Sequence, residues 1–121
     1  LLFGPDTVDP FNSKVVRAAM GTHFRLPVRE LTSWAEAAPL APIERWLLAT
    51  GEAATAYDSI DWREPAVLVI GSEAAGAGAE MRARATPIAI PMRGSVESLN
   101  AAMAGTVILF EIARQLRMAT A

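Results

Sequence analysis

The pattern of apolar and polar residues predicts two strands in the second half of the chain. The run AVLVIG (66–71) is apolar throughout and ends in glycine, which is typical of a strand covered on both faces of a parallel sheet. The run PIAIP (87–91) predicts a second, shorter strand that ends at Pro91, because proline has no amide hydrogen for the ladder. Strand, connection, strand and long helix predict an α/β fold, a mostly parallel sheet flanked by helices.

The first part of the chain predicts an amphipathic helix over residues 12–20. Asp9 or Asn12 can cap its N-terminus, and Gly21 can stop it. FRLPV (24–28) is expected to be extended, because the residue before a proline is disfavoured in the helical conformation. The apolar residues at helical spacing are Val15, Val16, Ala19 and Met20.

Residues 31–42 (LTSWAEAAPLAP) predict a second short helix. Thr32 or Ser33 can cap it, and Pro39 and Pro42 are expected to close it.

Residues 43–57 (IERWLLATGEAATAY) leave two structures open. RWLLAT (45–50), followed by Gly51, fits a buried strand. A helical stripe fits equally well, formed by Ile43, Trp46, Leu47 and Ala54.

The last predicted helix, residues 101–116, is apolar on nearly every side. We expect it to be largely buried, in part against a second subunit, because a small domain rarely encloses a whole helix. The predicted assembly is therefore a homodimer through this helix. Its apolar residues are Met103, Val107, Ile108, Leu109, Phe110, Ile112 and Leu116.

The composition predicts one domain, residues 1–121, since 52% of the 121 residues are hydrophobic. No apolar run reaches membrane-spanning length, so we expect a soluble, cytoplasmic protein with no membrane partner. The chain has no cysteine and one histidine, His23, so neither a disulfide nor a metal site is expected, and His23 is expected to be structural. The opening LLFGPDTVDP looks like the end of a buried strand, so we expect the chain to begin within a fold.

Basic residues are concentrated near the start of the chain, although the net charge is −2. Residues 10–29 contain no acidic side chain, whereas most of the charged side chains in residues 30–64 are acidic. Basic segments attract phosphate backbones, and the planar arginine fork suits phosphate, but a solvated helix face explains the charge equally well. The basic residues are Lys14, Arg17, Arg25 and Arg29.

The first predicted strand is followed by a glycine-rich segment, GSEAAGAG (71–78). Ligands of open parallel sheets bind beyond the carboxyl ends of strands, where Gly71 permits close approach and Glu73 adds a carboxylate. The segment is not a phosphate loop, because no Gly-Lys-Ser/Thr ending follows, and its spacing does not match the dinucleotide fingerprint. A glycine-rich turn with a solvated glutamate is the alternative.

The second predicted strand ends with main-chain groups that can bind a ligand. Because the chain leaves the sheet at Pro91, the Ile90 carbonyl and the Met92 amide can bind the edge of a planar, adenine-sized heterocycle.

Polar residues surround the start of the last predicted helix. Gly94 permits a tight reversal, after which Ser95 or Ser98 can cap the helix and leave its unpaired amides facing the crevice. Asn100 is expected just inside the helix, where a polar residue needs a partner, and this favours a functional role.

Three segments resemble motifs of one family. IPMRGSVESLNAAMAGTVILFEIARQ (90–115) is similar to the third motif of the SPOUT-type RNA methyltransferases, in the SpoU/TrmH branch that methylates ribose 2′-hydroxyls. LVIGSEAAGAG (68–78) resembles the second motif, and DTVDPFNSKVVRAAMGTHFRLPV (6–28) resembles the segment after the first. Three motifs in the family's order, over nearly the whole chain, make the resemblance specific.

The resemblance implies a SPOUT-type fold with a C-terminal deep trefoil knot, a rare feature among proteins, and S-adenosylmethionine as cofactor. It also favours the strand for RWLLAT (45–50), and ribosomal or transfer RNA as the partner. By resemblance, the cofactor-binding residues are Gly71, Ile90, Met92, Gly94 and Leu99, and the catalytic residues are Glu73, Ser98 and Asn100. The candidate RNA-binding residues are Asn12, Lys14, Arg17 and Arg25.

The resemblance also has departures. An arginine of the family's first motif is implicated in removing the ribose proton, and that motif would precede Leu1, so we expect this chain alone to bind cofactor poorly. Ser72 and Ala74 stand where the family usually has asparagine and glycine. A catalytically silent knotted domain that binds RNA or cofactor is therefore the alternative, and an unrelated small nucleotide-binding α/β domain is a third.

Overall fold

The computed structural model describes residues 1–71, 77–93 and 99–119. The chain divides into two compact units, Leu1–Pro42 (unit one) and Ile43–Ala121 (unit two). In the described ranges, no helix is long and apolar enough to cross a bilayer. Within the same ranges, no three side chains of histidine, cysteine, aspartate or glutamate gather as a metal site.

Unit one consists of short elements. Strands β1 (Leu2–Phe3) and β2 (Arg29–Glu30) pair in parallel. The helices are α1 (Ser13–Ala18), two 3-10 helices (Thr22–Phe24 and Trp34–Glu36) and α2 (Ala37–Leu40). The buried residues are Pro10, Leu31 and Ala37. Such short elements bury little apolar surface, so this unit has a small core.

The predicted helix at residues 12–20 is confirmed, with α1 covering its middle. Of the two possible caps, Asn12 is the N-cap, because its side-chain oxygen accepts a hydrogen bond from the Lys14 amide at 3.0 Å. The helix ends where Met20 and Gly21 adopt positive φ angles of 48° and 83°. Glycine adopts such an angle at little cost, so Gly21 is a suitable stop.

The predicted extended segment at residues 24–28 is wrong. Phe24 belongs to a 3-10 helix, and the amides of Arg25 and Leu26 donate to the Thr22 carbonyl at 2.9 and 3.0 Å. The turn therefore continues through Leu26, and the strand starts only at Arg29.

The predicted closure of the second helix at Pro39 is also wrong, because Pro39 lies inside α2. The helix starts at Ala37, so Pro39 occupies its first turn, where an amide has no helical acceptor. Ser33 holds the N-cap position of the preceding 3-10 helix without a side-chain hydrogen bond. Instead, the Glu36 carboxylate accepts from the Thr32 amide at 3.2 Å, and the bonds from Thr32 lower the pKa of Glu36.

Unit two is built on a parallel sheet of three strands in the order β4 (Val67–Ile70), β3 (Trp46–Thr50) and β5 (Thr86–Ala89). The register pairs Leu48 with Val69 on one side and with Pro87 on the other. This arrangement confirms the strand interpretation of RWLLAT and the predicted parallel sheet. Helix α3 (Gly78–Arg84) precedes β5, and α4 (Ala101–Ala119) is the last element.

The strand predicted from AVLVIG is confirmed, but its predicted cover on both faces is wrong. Of the residues of β4, Val69 is buried, Val67 and Leu68 are half-buried, and Ile70 at its end is 39% exposed. The central strand is β3, in which Trp46, Leu47 and Leu48 are all buried. Pro87 fits within β5 because an edge strand needs amide donors on one side only.

The core of unit two joins the sheet to α4. Leu47 and Ile88 of the sheet pack with Trp62 and Ile108 in one buried cluster. The Trp62 indole N–H donates to the Tyr57 carbonyl at 2.8 Å, which satisfies the polar atom of this large side chain.

Helix α4 confirms the predicted last helix but is not largely buried within this chain. Only Gly105 and Ile108 of α4 are buried, because one stripe of the helix faces the small sheet. The exposed apolar residues are Met103, Leu109, Phe110, Leu116 and Met118.

The side chain of Gln115 ties α4 to the loop before β4. Its oxygen accepts from the Trp62 amide at 2.9 Å, and its nitrogen donates to the Ile60 carbonyl at 3.0 Å and to Glu111 at 2.7 Å. The loop that carries Trp62 is therefore fixed to the helix by hydrogen bonds at both ends of one amide.

Candidate functional site

A cavity of about 550 Å³ opens where the three parallel strands of unit two end. Parallel strands present their carboxyl ends at one edge, where the ladder stops and main-chain groups can bind a ligand. Each strand contributes residues at or beyond its end: Thr50 and Gly51 at the end of β3, Ile70 and Gly71 at the end of β4, and Ile90 and Met92 after β5.

Several predicted cofactor-binding residues lie on this one cavity. Gly71, Ile90, Met92 and Leu99 line it, although they come from three separate parts of the sequence. The ladder of β5 ends at the pair between Thr50 and Ala89, so Ile90 and Met92 lie beyond it. Gly94 lies outside the described residues.

Asn100 lines the cavity. The sequence predicts it just inside the last helix, but the structure places it just before that helix. It is the residue before α4, and its side-chain oxygen accepts hydrogen bonds from the amides of Ala102 and Met103 at 2.9 and 3.3 Å. Asn100 is therefore the residue that caps α4, the role that the sequence predicts for Ser95 or Ser98. Those two serines and Glu73 lie outside the described residues.

The sequence interpretation missed other residues of the cavity. Thr50 and Gly51 also line the cavity. Gly51 follows an apolar strand directly, as Gly71 does, but RWLLAT also fits a helix, so the sequence did not identify this strand end. Ala101 and Ala104 line the cavity through the first turn of α4, and Arg82 lines it from α3. No motif marks Arg82.

The candidate RNA-binding residues all lie in unit one. The side chains of Lys14, Arg17 and Arg25 are exposed, and Asn12 caps the helix that carries the first two. The imidazole Nε2 of His23 lies 2.6 Å from the Pro10 carbonyl oxygen, and its ring is 5.6 Å from that of Phe11. These contacts fit the structural role expected for His23.

Two ion pairs of unit two, Arg63–Asp61 and Arg114–Glu111, lie away from the described residues that line the cavity. Hydrogen bonds from Arg63 lower the pKa of Asp61 to about 2. Hydrogen bonds from Arg114 and Gln115 lower the pKa of Glu111 to about 2. The Arg84 guanidinium lies over the Trp46 ring, 4.0 Å from its centre, as a cation–π contact.

Comparison with known sequences gives a consistent set of relatives. The sequence profile of the SpoU rRNA Methylase family matches residues 1–110. The 23S rRNA (guanosine(2553)-2'-O)-methyltransferase RlmP of Bacillus subtilis is 30% identical over 115 residues, which cover 93% of this chain and 46% of RlmP. The 23S rRNA (uridine(2479)-2'-O)-methyltransferase of Streptomyces viridochromogenes is 37% identical over 124 residues, covering 95% and 43%. The chain thus spans less than half the length of these two relatives.

Solved structures agree with the sequence relatives. The SpoU methyltransferase AviRb from Streptomyces viridochromogenes, in complex with the cofactor AdoMet, matches with a TM-score of 0.85 and 32% identity, over 98% of this chain and 50% of AviRb. An AdoMet-bound rRNA methyltransferase from Sinorhizobium meliloti matches with a TM-score of 0.81 and 31% identity, over 95% and 45% of the two chains. These matches confirm the α/β fold with parallel strands.

Proposed function

Because the chain belongs to the SpoU rRNA methylase family, we propose that it carries the cofactor site of an RNA ribose 2′-O-methyltransferase. The methyl donor is S-adenosylmethionine, and the substrate is ribosomal RNA, or transfer RNA as the other predicted class. The observation that carries the proposal is the cavity at the ends of β3, β4 and β5. A cytoplasmic location follows from such a substrate.

The cavity suits S-adenosylmethionine in its size and in its lining. Its volume of about 550 Å³ falls within the range of about 300–1,000 Å³ that is usual for small-molecule sites. Ile90, Met92 and Leu99 offer apolar surface and main-chain groups for a planar adenine. Arg82 and Asn100 provide polar groups for the rest of the molecule.

S-adenosylmethionine supplies a methyl group that its sulfonium already activates for transfer. The protein then has to align the ribose hydroxyl with that methyl and remove the hydroxyl proton. Asn100 is suited to alignment, because two helix amides fix its side-chain oxygen at the cavity. We assign Glu73 and Ser98 to catalysis by resemblance to the family.

The proposed RNA contact is the exposed basic surface of unit one. Arginine and lysine side chains displace counterions from phosphates, so such binding weakens as salt rises. Replacing Arg17 and Arg25 by glutamine should weaken RNA binding and lower its salt slope by about one per lost contact. Arg63→Gln removes a charge that Asp61 already pairs and serves as the control. Unchanged affinity of the Arg17 and Arg25 variants across a salt series rules this surface out.

We also propose a homodimer through α4. Phe110 and Met118 are 69% and 68% exposed, and exposed apolar patches of this kind are typical of interfaces. Light scattering should detect a dimer that Phe110→Glu dissociates. Phe24→Glu makes the same change at an exposed phenylalanine of unit one and should leave the dimer intact. A wild-type monomer at micromolar concentration contradicts the proposal.

The deep trefoil knot is the remaining structural proposal. The similarity to SpoU methyltransferase structures supports it. A crystal structure that traces residues 72–76 and 94–98 tests it. In a deep trefoil knot, the C-terminal part of the chain passes through a loop formed by an earlier part.

Methyl transfer is the decisive experiment. The full-length protein is incubated with S-adenosylmethionine carrying a radioactive methyl group, and with ribosomal or transfer RNA in separate reactions. We expect label that resists alkaline hydrolysis, because a ribose 2′-O-methyl group protects the adjacent phosphodiester, and loss of label in Glu73→Gln and Ser98→Ala. Cofactor binding without any incorporation favours the silent knotted domain, for which Ser72 and Ala74 are the sequence argument.

A further inference from the structure

Arg82 differs in charge from the other described residues of the cavity. Among the described residues that line the cavity, Arg82 is the charged one. The others are apolar residues, glycines or neutral polar residues. Its side chain is exposed, so it lies at the rim of the cavity rather than in its floor.

The position of Arg82 is fixed by the residues on either side of it in α3. Met81 is fully buried and Ala85 is 6% exposed, so one face of this short helix is anchored in the core. Arg82 follows Met81 and reaches the cavity, whereas Arg84 lies over the Trp46 ring. Two arginines of one helix thus have separate surroundings.

Two amides at the start of α4 are already used within the protein. The amides of Ala102 and Met103 already donate to the Asn100 side chain. Among the described lining residues, Arg82 is the one with a cationic side chain for an anionic group, and arginine binds a carboxylate through two parallel hydrogen bonds. Arg82 also makes a contact within the protein, and its five N–H donors can serve that contact and a ligand together.

We infer that Arg82 binds the carboxylate of the methionine part of S-adenosylmethionine. This inference rests on the proposed function, because it takes S-adenosylmethionine as the ligand of the cavity. Arg82 is then a residue that binds and orients the cofactor, and its effect should depend on the presence of that carboxylate.

Calorimetric titration of the full-length protein with two ligands tests the inference. One ligand is S-adenosylmethionine, and the other is decarboxylated S-adenosylmethionine, which lacks only the carboxylate. Arg82→Gln should weaken binding of the first ligand about tenfold, as expected for a charge-assisted bond at an exposed rim, and leave binding of the second unchanged. Arg82→Lys keeps the charge and should lose less affinity. Arg84→Gln is the matched control from the same helix and should bind both ligands like the wild type.

The inference is overturned if Arg82→Gln binds both ligands like the wild type, or weakens both equally. It is also overturned if Arg84→Gln has the same effect as Arg82→Gln, since charge in general would then be responsible. Loss of affinity for ribosomal RNA with unchanged cofactor affinity assigns Arg82 to a phosphate instead and overturns it as well. A wild-type protein that binds neither ligand counts against the proposed function itself, and the inference falls with it.

Discussion

Unit one and unit two differ in how much of their apolar sequence they bury. Unit two has a continuous core, from the central strand β3 to Ile108 of α4. In unit one, Leu31 and Ala37 are buried, whereas Met20 and Phe24 are both 92% exposed. The stable framework and the cavity therefore belong to the sheet of unit two, whereas unit one carries exposed basic and apolar groups on a much smaller core.

The largest effect is expected from a cavity in the core of unit two. Ile108→Ala should lower the free energy of unfolding by about 2–5 kcal/mol, because Ile108 is fully buried in the cluster around Trp62. Phe24→Ala in unit one should change it by less than about 0.5 kcal/mol. Urea unfolding followed by far-ultraviolet circular dichroism measures both. Equal effects of the two substitutions contradict the contrast between the units.

An intermediate effect is expected in the small core of unit one. Gly4→Ala introduces a Cβ that overlaps the ring of Trp34, and overpacking of this kind costs about 1–3 kcal/mol. Trp34 emission in a variant with Trp46 and Trp62 replaced by phenylalanine reports on this unit. Ser33→Ala, beside Trp34, removes a hydroxyl that makes no capping bond and should have no effect. A Gly4→Ala variant as stable as the parent refutes the close packing of Gly4 on Trp34.

A smaller effect is expected from the hydrogen bonds between α4 and the loop. Gln115→Ala leaves the Trp62 amide and the Ile60 carbonyl without their partner and should cost about 1–2 kcal/mol. Hydrogen exchange at the Trp62 amide should accelerate in this variant. Arg63→Ala breaks an exposed ion pair of the same loop, which solvent screens, and provides the control with little expected effect. Unchanged exchange at Trp62 means that other contacts hold the loop.

The smallest effect is a pH dependence at the same place. The pKa of Glu111 falls from 4.5 to about 2 in the folded chain, because Arg114 and Gln115 donate hydrogen bonds to its carboxylate. Its stabilising contribution is therefore full above pH 4.5 and is lost as the pH falls from there towards 2. Urea midpoints between pH 2 and 6 measure this loss, and Glu111→Gln should flatten the curve relative to the wild type. Identical curves for the two proteins remove Glu111 as a source of the pH dependence.

The sequence predicts unit two better than unit one. Long apolar runs reveal β4 and α4, because their patterns extend over several residues. RWLLAT fits the periodicity of a strand and that of a helix equally well. It forms a strand because it pairs with β4 on one side and with β5 on the other. In unit one, the positive φ of Met20 and the turn through Leu26 depend on local bonds that no apolar pattern encodes.

The candidate site is predictable where main-chain geometry defines it. Glycine and proline after apolar strands identify Gly71, Ile90 and Met92 as residues at strand ends, and the three do line one cavity. Asn100 could not be separated from Ser95 and Ser98 as the cap, since all three residue types cap helices well. No sequence motif identifies Arg82. Its place at the cavity depends on how α3 is oriented in the fold, which the burial of the neighbouring Met81 determines.

The central place of β3 has a consequence for biosynthesis. The earliest residue of the cavity is Leu48 and the latest is Ala104, so the wall of the cavity is complete only when the first turn of α4 has been made. Parallel strands also require the intervening chain before they can pair. On a translating ribosome, the nascent chain therefore cannot recognise a ligand at this place until the first turn of α4 has left the exit tunnel.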